Sequence, residues 1–122
     1  MRVVLYTAEE IGVYGGRAYR DAHRDEIDRH VVAMESDSGA FAPRGFSVAG
    51  DSLAVARVAA LAAPLAEWGA DAVTAGGSGA DIGPLVELGV PGIGHRVEGD
   101  TYFHFHHSPA DTGTSDGDRV LH

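Results

Sequence analysis

Apolar runs along the chain alternate with stretches whose apolar residues recur at helical spacing, and that alternation predicts most of the elements. Residues 2–6 are rich in valine and leucine and predict a strand buried on both faces. Residues 12–23 predict a helix, with Val13, Tyr14, Ala18 and Ala22 at helical spacing. Residues 30–34 predict a second strand. Residues 39–50 predict a loop, because Pro43 and the glycines Gly39, Gly45 and Gly50 break any regular pattern. Ser52 is placed to cap a helix through Leu53, Ala56, Ala60 and Ala63, which Pro64 ends or kinks.

Residues 72–74 predict a short strand, followed by the turn Gly76-Gly77-Ser78-Gly79. Residues 82–88 predict a short helix with Gly89 as its C-terminal cap. Residues 90–94 predict a weak strand, since Pro91 removes a ladder donor, and residues 102–106 alternate as a strand does. The order of strands and helices implies an α/β fold with a largely parallel sheet. In open sheets of that kind, ligands bind beyond the carboxyl ends of the strands. Glu9 with Glu10, Glu35 with Asp37, the segment 76–81, and His106 with His107 each follow an apolar run. That predicts one site along one edge of the sheet.

Composition narrows the chemistry. A chain of 122 residues has material for one domain and one core. Its net charge of -9 disfavours nucleic acid, and it carries no basic run. No apolar stretch approaches the ~18 residues of a membrane span, and no signal-type segment opens the chain. Cysteine is absent, which removes disulfides and thiolate ligands and leaves His, Asp and Glu to bind any metal.

Adjacent side chains on an extended segment point in opposite directions, so Glu9 and Glu10 cannot share one task. One can face a metal while the other takes a proton from the attacking water; alternatively, both are solvated acids opening a helix. Asp37 reads equally well as a monodentate zinc ligand or as the carboxylate of an Asx turn. Alternation places His104 and His106 on one face and His107 on the other, and His104 reads as an edge aromatic. The segment 76–81 lacks the lysine of a phosphate loop. It reads as a tight turn carrying backbone to a small substrate, with Asp81 capping the next helix. Ser78 has no nucleophile-elbow context, Trp68 and Tyr19 read as packing residues, and His23, His30 and His95 are assigned no role.

Four segments occur in one order: Thr7-Ala8-Glu9-Glu10-Ile11-Gly12, Glu35-Ser36-Asp37-Ser38-Gly39, Gly79-Ala80-Asp81-Ile82-Gly83-Pro84-Leu85 and His106-His107-Ser108-Pro109-Ala110-Asp111-Thr112. Together they resemble the di-zinc exopeptidases of the aminopeptidase and carboxypeptidase Q type, over nearly the whole chain. The resemblance implies a three-layer sandwich with helices on both faces of the sheet. It implies a zinc-dependent exopeptidase, of aminopeptidase or dipeptidase type, acting on short peptides. Glu9 is then the general base, Glu10 and His107 ligate one zinc, and Asp37 ligates the other. His106, Gly79 and Asp81 are then substrate neighbours. Such enzymes also use an upstream His and a bridging Asp before the Glu-Glu strand, a segment this chain does not contain. The chain therefore looks like a single partial catalytic domain, trimmed at both ends, in which fewer than two zincs or none, and weak activity or none, are expected. The alternative is a non-catalytic peptidase-like module that binds peptides or another subunit. Relatives of this type are often exported.

Overall fold

A computed structural model describes residues 1–38, 41–100, 104 and 106. Its order is helix α1 (Tyr14–Ala22), a 3₁₀ turn (Arg24–Arg29), strand β1 (Ala33–Glu35), strand β2 (Pro43–Ala49) and helix α2 (Ser52–Ala62). A second 3₁₀ turn (Ala63–Trp68), strand β3 (Ala72–Ala75), helix α3 (Gly83–Val86) and strand β4 (Gly92–Val97) follow. The strands form one sheet in the order β1-β4-β2-β3. β1 runs parallel to β4 and β2 parallel to β3, while β2 and β4 are antiparallel. The fold is α/β with a mixed sheet.

α2 packs against β3 and β2, and α3 packs against β4 and α1. Ala33, Ile82, Leu85 and Val90 form a buried cluster, with Tyr6, Tyr19 and Ile27 against it. Val48, at 1% exposure, is buried on β2. The cap of α2 is Asp51 rather than Ser52: its side chain accepts the Ala54 N–H at 2.8 Å. α2 passes at Ala62 into the 3₁₀ turn that opens on Ala63 and Pro64, as proline at a first turn allows. α3 is shorter than the predicted 82–88, and Gly89 follows it with φ +91°.

Two predicted elements change in kind. Residues 39–50 do not form a loop, because residues 43–49 are β2. Pro43 opens that strand, where a missing N–H costs least. Gly45, with φ +133°, lies against the backbone of Ala72 at a register shift, where a side chain has no room. The two breakers are local features of a strand, not its end. Residues 2–6 are not a strand buried on both faces: Val3 is 77% and Leu5 90% exposed. They join no ladder of the described sheet. Side chains hold them instead. Arg2 donates to Tyr19 Oη at 3.0 Å and to Glu26 at 3.1 Å, and Tyr6 meets the Tyr19 ring edge-on.

The predicted strand at 102–106 lies largely outside the described residues. Residues 30–34 become β1 three residues later than predicted, because only residues 33–35 pair with β4.

Candidate functional site

β3 runs opposite to β1 and β4, so its carboxyl end lies at the other edge of the sheet. The segment after it nevertheless reaches the end of β1 by crossing the sheet. The crossing follows one row of partners, in which Gly94 pairs with Glu35 on one side and Ser47 on the other. Residues in such a row project to the same face. Ser47 Oγ donates to the Gly77 carbonyl at 2.5 Å. Ser78, 4% exposed, then lies over Gly92 and Gly94. A Cβ at Gly94 would stand 2.8 Å from Ser47 Oγ and 3.0 Å from the Ser78 carbonyl oxygen. The crossing therefore needs glycine at both positions.

Beyond Ser78 the chain meets Glu35. Gly79, with φ +124°, leaves no room for a Cβ against the Glu35 carboxyl. Glu35 Oε1 accepts the Ala80 N–H at 3.1 Å and Oε2 the Ile82 N–H at 3.0 Å. Burial pushes the Glu35 carboxyl above its ordinary value; the Ile82 and Ala80 N–H groups oppose this, and the charges of Asp81 and Asp37 reinforce it. Burial also raises Asp81, with Asp37 adding to the shift. Asp81 Oδ1 is buried and accepts no hydrogen bond among the described residues. Asp81 does not cap α3, whose N-cap is Ile82 with no side-chain bond. The carboxylate that holds this helix start comes from β1.

The Glu9-Glu10 turn adjoins the same region. Glu9 is half-buried and Glu10 exposed. The carbonyls of Thr7, Ala8 and Glu9 accept N–H groups from residues 12–15 at 2.8 to 3.2 Å. Ala8 (φ 60°) and Val13 (φ 55°) lie in the left-handed region, at a cost of roughly 1–2 kcal/mol each. Such strain gathers at functional sites. Gly15 and Gly16 open α1 between two backbones. A Cβ at Gly15 would stand 2.6 Å from the Thr7 carbonyl oxygen, and one at Gly16 would collide with the Asp81 carbonyl. Through α1 the glutamate turn is thus seated on the loop that carries Asp81.

A pocket of about 360 Å³ opens beside these elements, lined by Glu35, Asp37, Ser47, Gly77, Gly79 and His95 among others. Ser36 Oγ lies 3.2 Å from His95 Nδ1, which joins β1's exit to β4.

The sequence profile of peptidase family M28 matches residues 1–118. The chain belongs to peptidase family M28. It is 38% identical over 114 residues to carboxypeptidase Q of Mus musculus and 37% identical over 114 residues to that of Homo sapiens. Each match covers 93% of this chain and 24% of the relative. The crystal structure of a peptidase M28 precursor from Shewanella amazonensis is similar, with a TM-score of 0.81 and 37% identity over 90% of this chain and 25% of that one. The chain spans about a quarter of the length of these relatives.

Within this M28 chain the sequence-derived residues fall into three groups. Asp37, Gly79 and Asp81 come together around Glu35. Glu9 and Glu10 sit on the turn that abuts this group through Gly15 and Gly16. His107 lies outside the described residues, and His106 is half-buried. Glu10 and Asp37 are oxygen donors that suit zinc. Among the described residues, however, no three His, Asp or Glu side chains stand close enough to hold a metal ion. The described residues alone do not make a zinc site. Sequence reasoning missed Glu35 as the anchor of the loop and Ser47 as its second support. The available signal was Gly92-Ile93-Gly94, two glycines one pleat apart that leave one face of a strand bare.

Proposed function

We propose that the protein is a zinc-dependent exopeptidase, of aminopeptidase or dipeptidase type, that hydrolyses short peptides. One observation carries the reading: M28 membership over residues 1–118 coincides with a pocket that brings Asp37 together with Gly77 and Gly79. In this reading Glu9 accepts the proton of the attacking water and returns it to the leaving amine. Glu10, Asp37 and His107 are the proposed zinc ligands. The described residues do not by themselves complete a ligand set.

A second reading is a peptide-binding module without catalysis. The pocket favours it, because Ser47, Gly77, Gly79 and His95 line it beside Asp37. Zinc stoichiometry and turnover separate the two. Mass spectrometry of the native protein, paired with a dipeptide cleavage assay, should show bound zinc and hydrolysis that a chelator abolishes. Peptide affinity with neither zinc nor hydrolysis would replace the first reading with the second.

A further inference from the structure

We infer that Glu35 is a positioning residue that sets the backbone of residues 77–82 for peptide binding. The inference rests on the peptidase reading and deepens it: Glu35 governs how the substrate is held rather than how it is cleaved.

The loop is hung from two points. Ser47 Oγ grips the Gly77 carbonyl at 2.5 Å, and Glu35 grips the N–H groups of Ala80 and Ile82 at 3.1 and 3.0 Å. Between the supports, Ser78 is pressed against Gly92 and Gly94. The two donors belong to residues two apart, and each takes its own oxygen of one rigid carboxylate. Glutamine offers one acceptor oxygen and alanine none. Gly79 closes the arrangement, since a Cβ there would collide with the Glu35 carboxyl group.

This loop presents two glycines to the pocket. Gly77 and Gly79 line it together with Asp37 and His95, and no heavy atom lies within 4 Å of where a Gly77 Cβ would stand. A peptide entering the pocket beside Asp37 therefore meets a surface whose height Glu35 and Ser47 determine. Glu35 itself lies one pleat from Asp37, so the strand end that presents Asp37 also fixes the opposing backbone. A purely structural role, in which Glu35 does no more than hold the start of the four-residue α3, makes a different prediction.

The test uses Glu35→Gln, Glu35→Ala and Gly79→Ala in the purified protein. It measures amide exchange at Ala80 and Ile82, zinc per molecule, and KM and kcat on dipeptides. In Glu35→Ala both amides should exchange at least about tenfold faster, and in Glu35→Gln one of the two should remain protected. KM should rise on the order of tenfold with kcat little changed, as a displaced binding surface requires. Gly79→Ala keeps every charge but pushes the carboxylate aside, so it should reproduce the KM rise with zinc content unaltered. A lower melting temperature with unchanged KM in all three variants would reduce Glu35 to a structural support and overturn the inference. A fall in kcat that tracks lost zinc would do the same, because Glu35 would then act through Asp37. If the unmodified protein cleaves no peptide, it is the peptidase reading that fails. Amide exchange then decides the loop alone: fast exchange in Glu35→Ala upholds the anchor, and unchanged exchange removes it.

Discussion

The carboxylate of Glu35 accepts the backbone N–H of Ile82 at 3.0 Å, tying the end of β1 to the start of α3 across 47 residues of chain. Ile82 is one of the two most deeply buried large side chains, so the tie joins the polar pocket directly to the core. A change on either side of that bond is felt on the other.

Gly16→Ala sets two effects against each other. Alanine gains about 1 kcal/mol of helix propensity over glycine. The new Cβ would collide with the Asp81 carbonyl, and forcing a methyl into packed structure costs about 1–3 kcal/mol. The collision is with backbone and should win. Urea unfolding should show a lower midpoint for the variant; an unchanged or higher midpoint would mean α1 can slide away from the loop.

Gly94→Ala should also destabilise, by roughly 1–3 kcal/mol, because its Cβ meets Ser47 Oγ at 2.8 Å and the Ser78 carbonyl at 3.0 Å. Adding Ser47→Gly removes the hydroxyl on one side. Because Ser47→Gly also loses the bond to the Gly77 carbonyl, the double variant should lose less than the sum of the two single changes, and strict additivity would contradict the shared row.

Glu9→Gln should lower peptide turnover by about 10²- to 10⁴-fold if Glu9 moves the proton of the attacking water. Zinc content should be retained. Full activity in this variant would remove Glu9 from the role of base.

Glu10→Ala and Asp37→Asn should each reduce zinc retained after dialysis, since each removes a proposed oxygen ligand. Chelation of the unmodified protein should abolish hydrolysis, and added zinc should restore it. Unaltered zinc retention in both variants would show that the metal lies elsewhere.

Glu26 reports on residues 2–6. Its hydrogen bond from Arg2 holds the carboxyl below its ordinary value, with the Arg2 and His23 charges adding to this and desolvation opposing it. A carboxyl lowered in the folded state stabilises at pH above its unfolded value, and that contribution is lost as pH falls through the folded value. Glu26→Gln should flatten this acid limb of the stability profile. The groups are exposed, so high salt should shrink the difference. An identical acid limb in both proteins would show that Arg2 does not hold Glu26 in solution.

Much of the local architecture is legible from the residues themselves. The spacing of Val13, Tyr14, Ala18 and Ala22 marks α1, and Pro64 marks the place where α2 gives way to a 3₁₀ turn, because periodicity and backbone restriction are local properties. The ordered segments around Glu9, Asp37 and Asp81 also mark the family.

Tertiary structure decided the rest. Whether Pro43 and Gly45 end a strand or sit inside one depends on β4 and β3 lying on either side to pair with it. Whether residues 2–6 become a strand depends on a ladder partner that apolar content cannot supply. The antiparallel pairing of β2 with β4 sends the end of β3 to the far edge and obliges the 76–81 segment to cross the sheet. Only that crossing gives Gly92, Gly94, Ser47 and Glu35 their common purpose. Hydrogen bonds between segments tens of residues apart leave no periodic trace, so the sequence by itself marked Glu9, Glu10, Asp37 and Asp81 as candidates, and the packing of the sheet determined that Asp37 and Asp81 meet around Glu35.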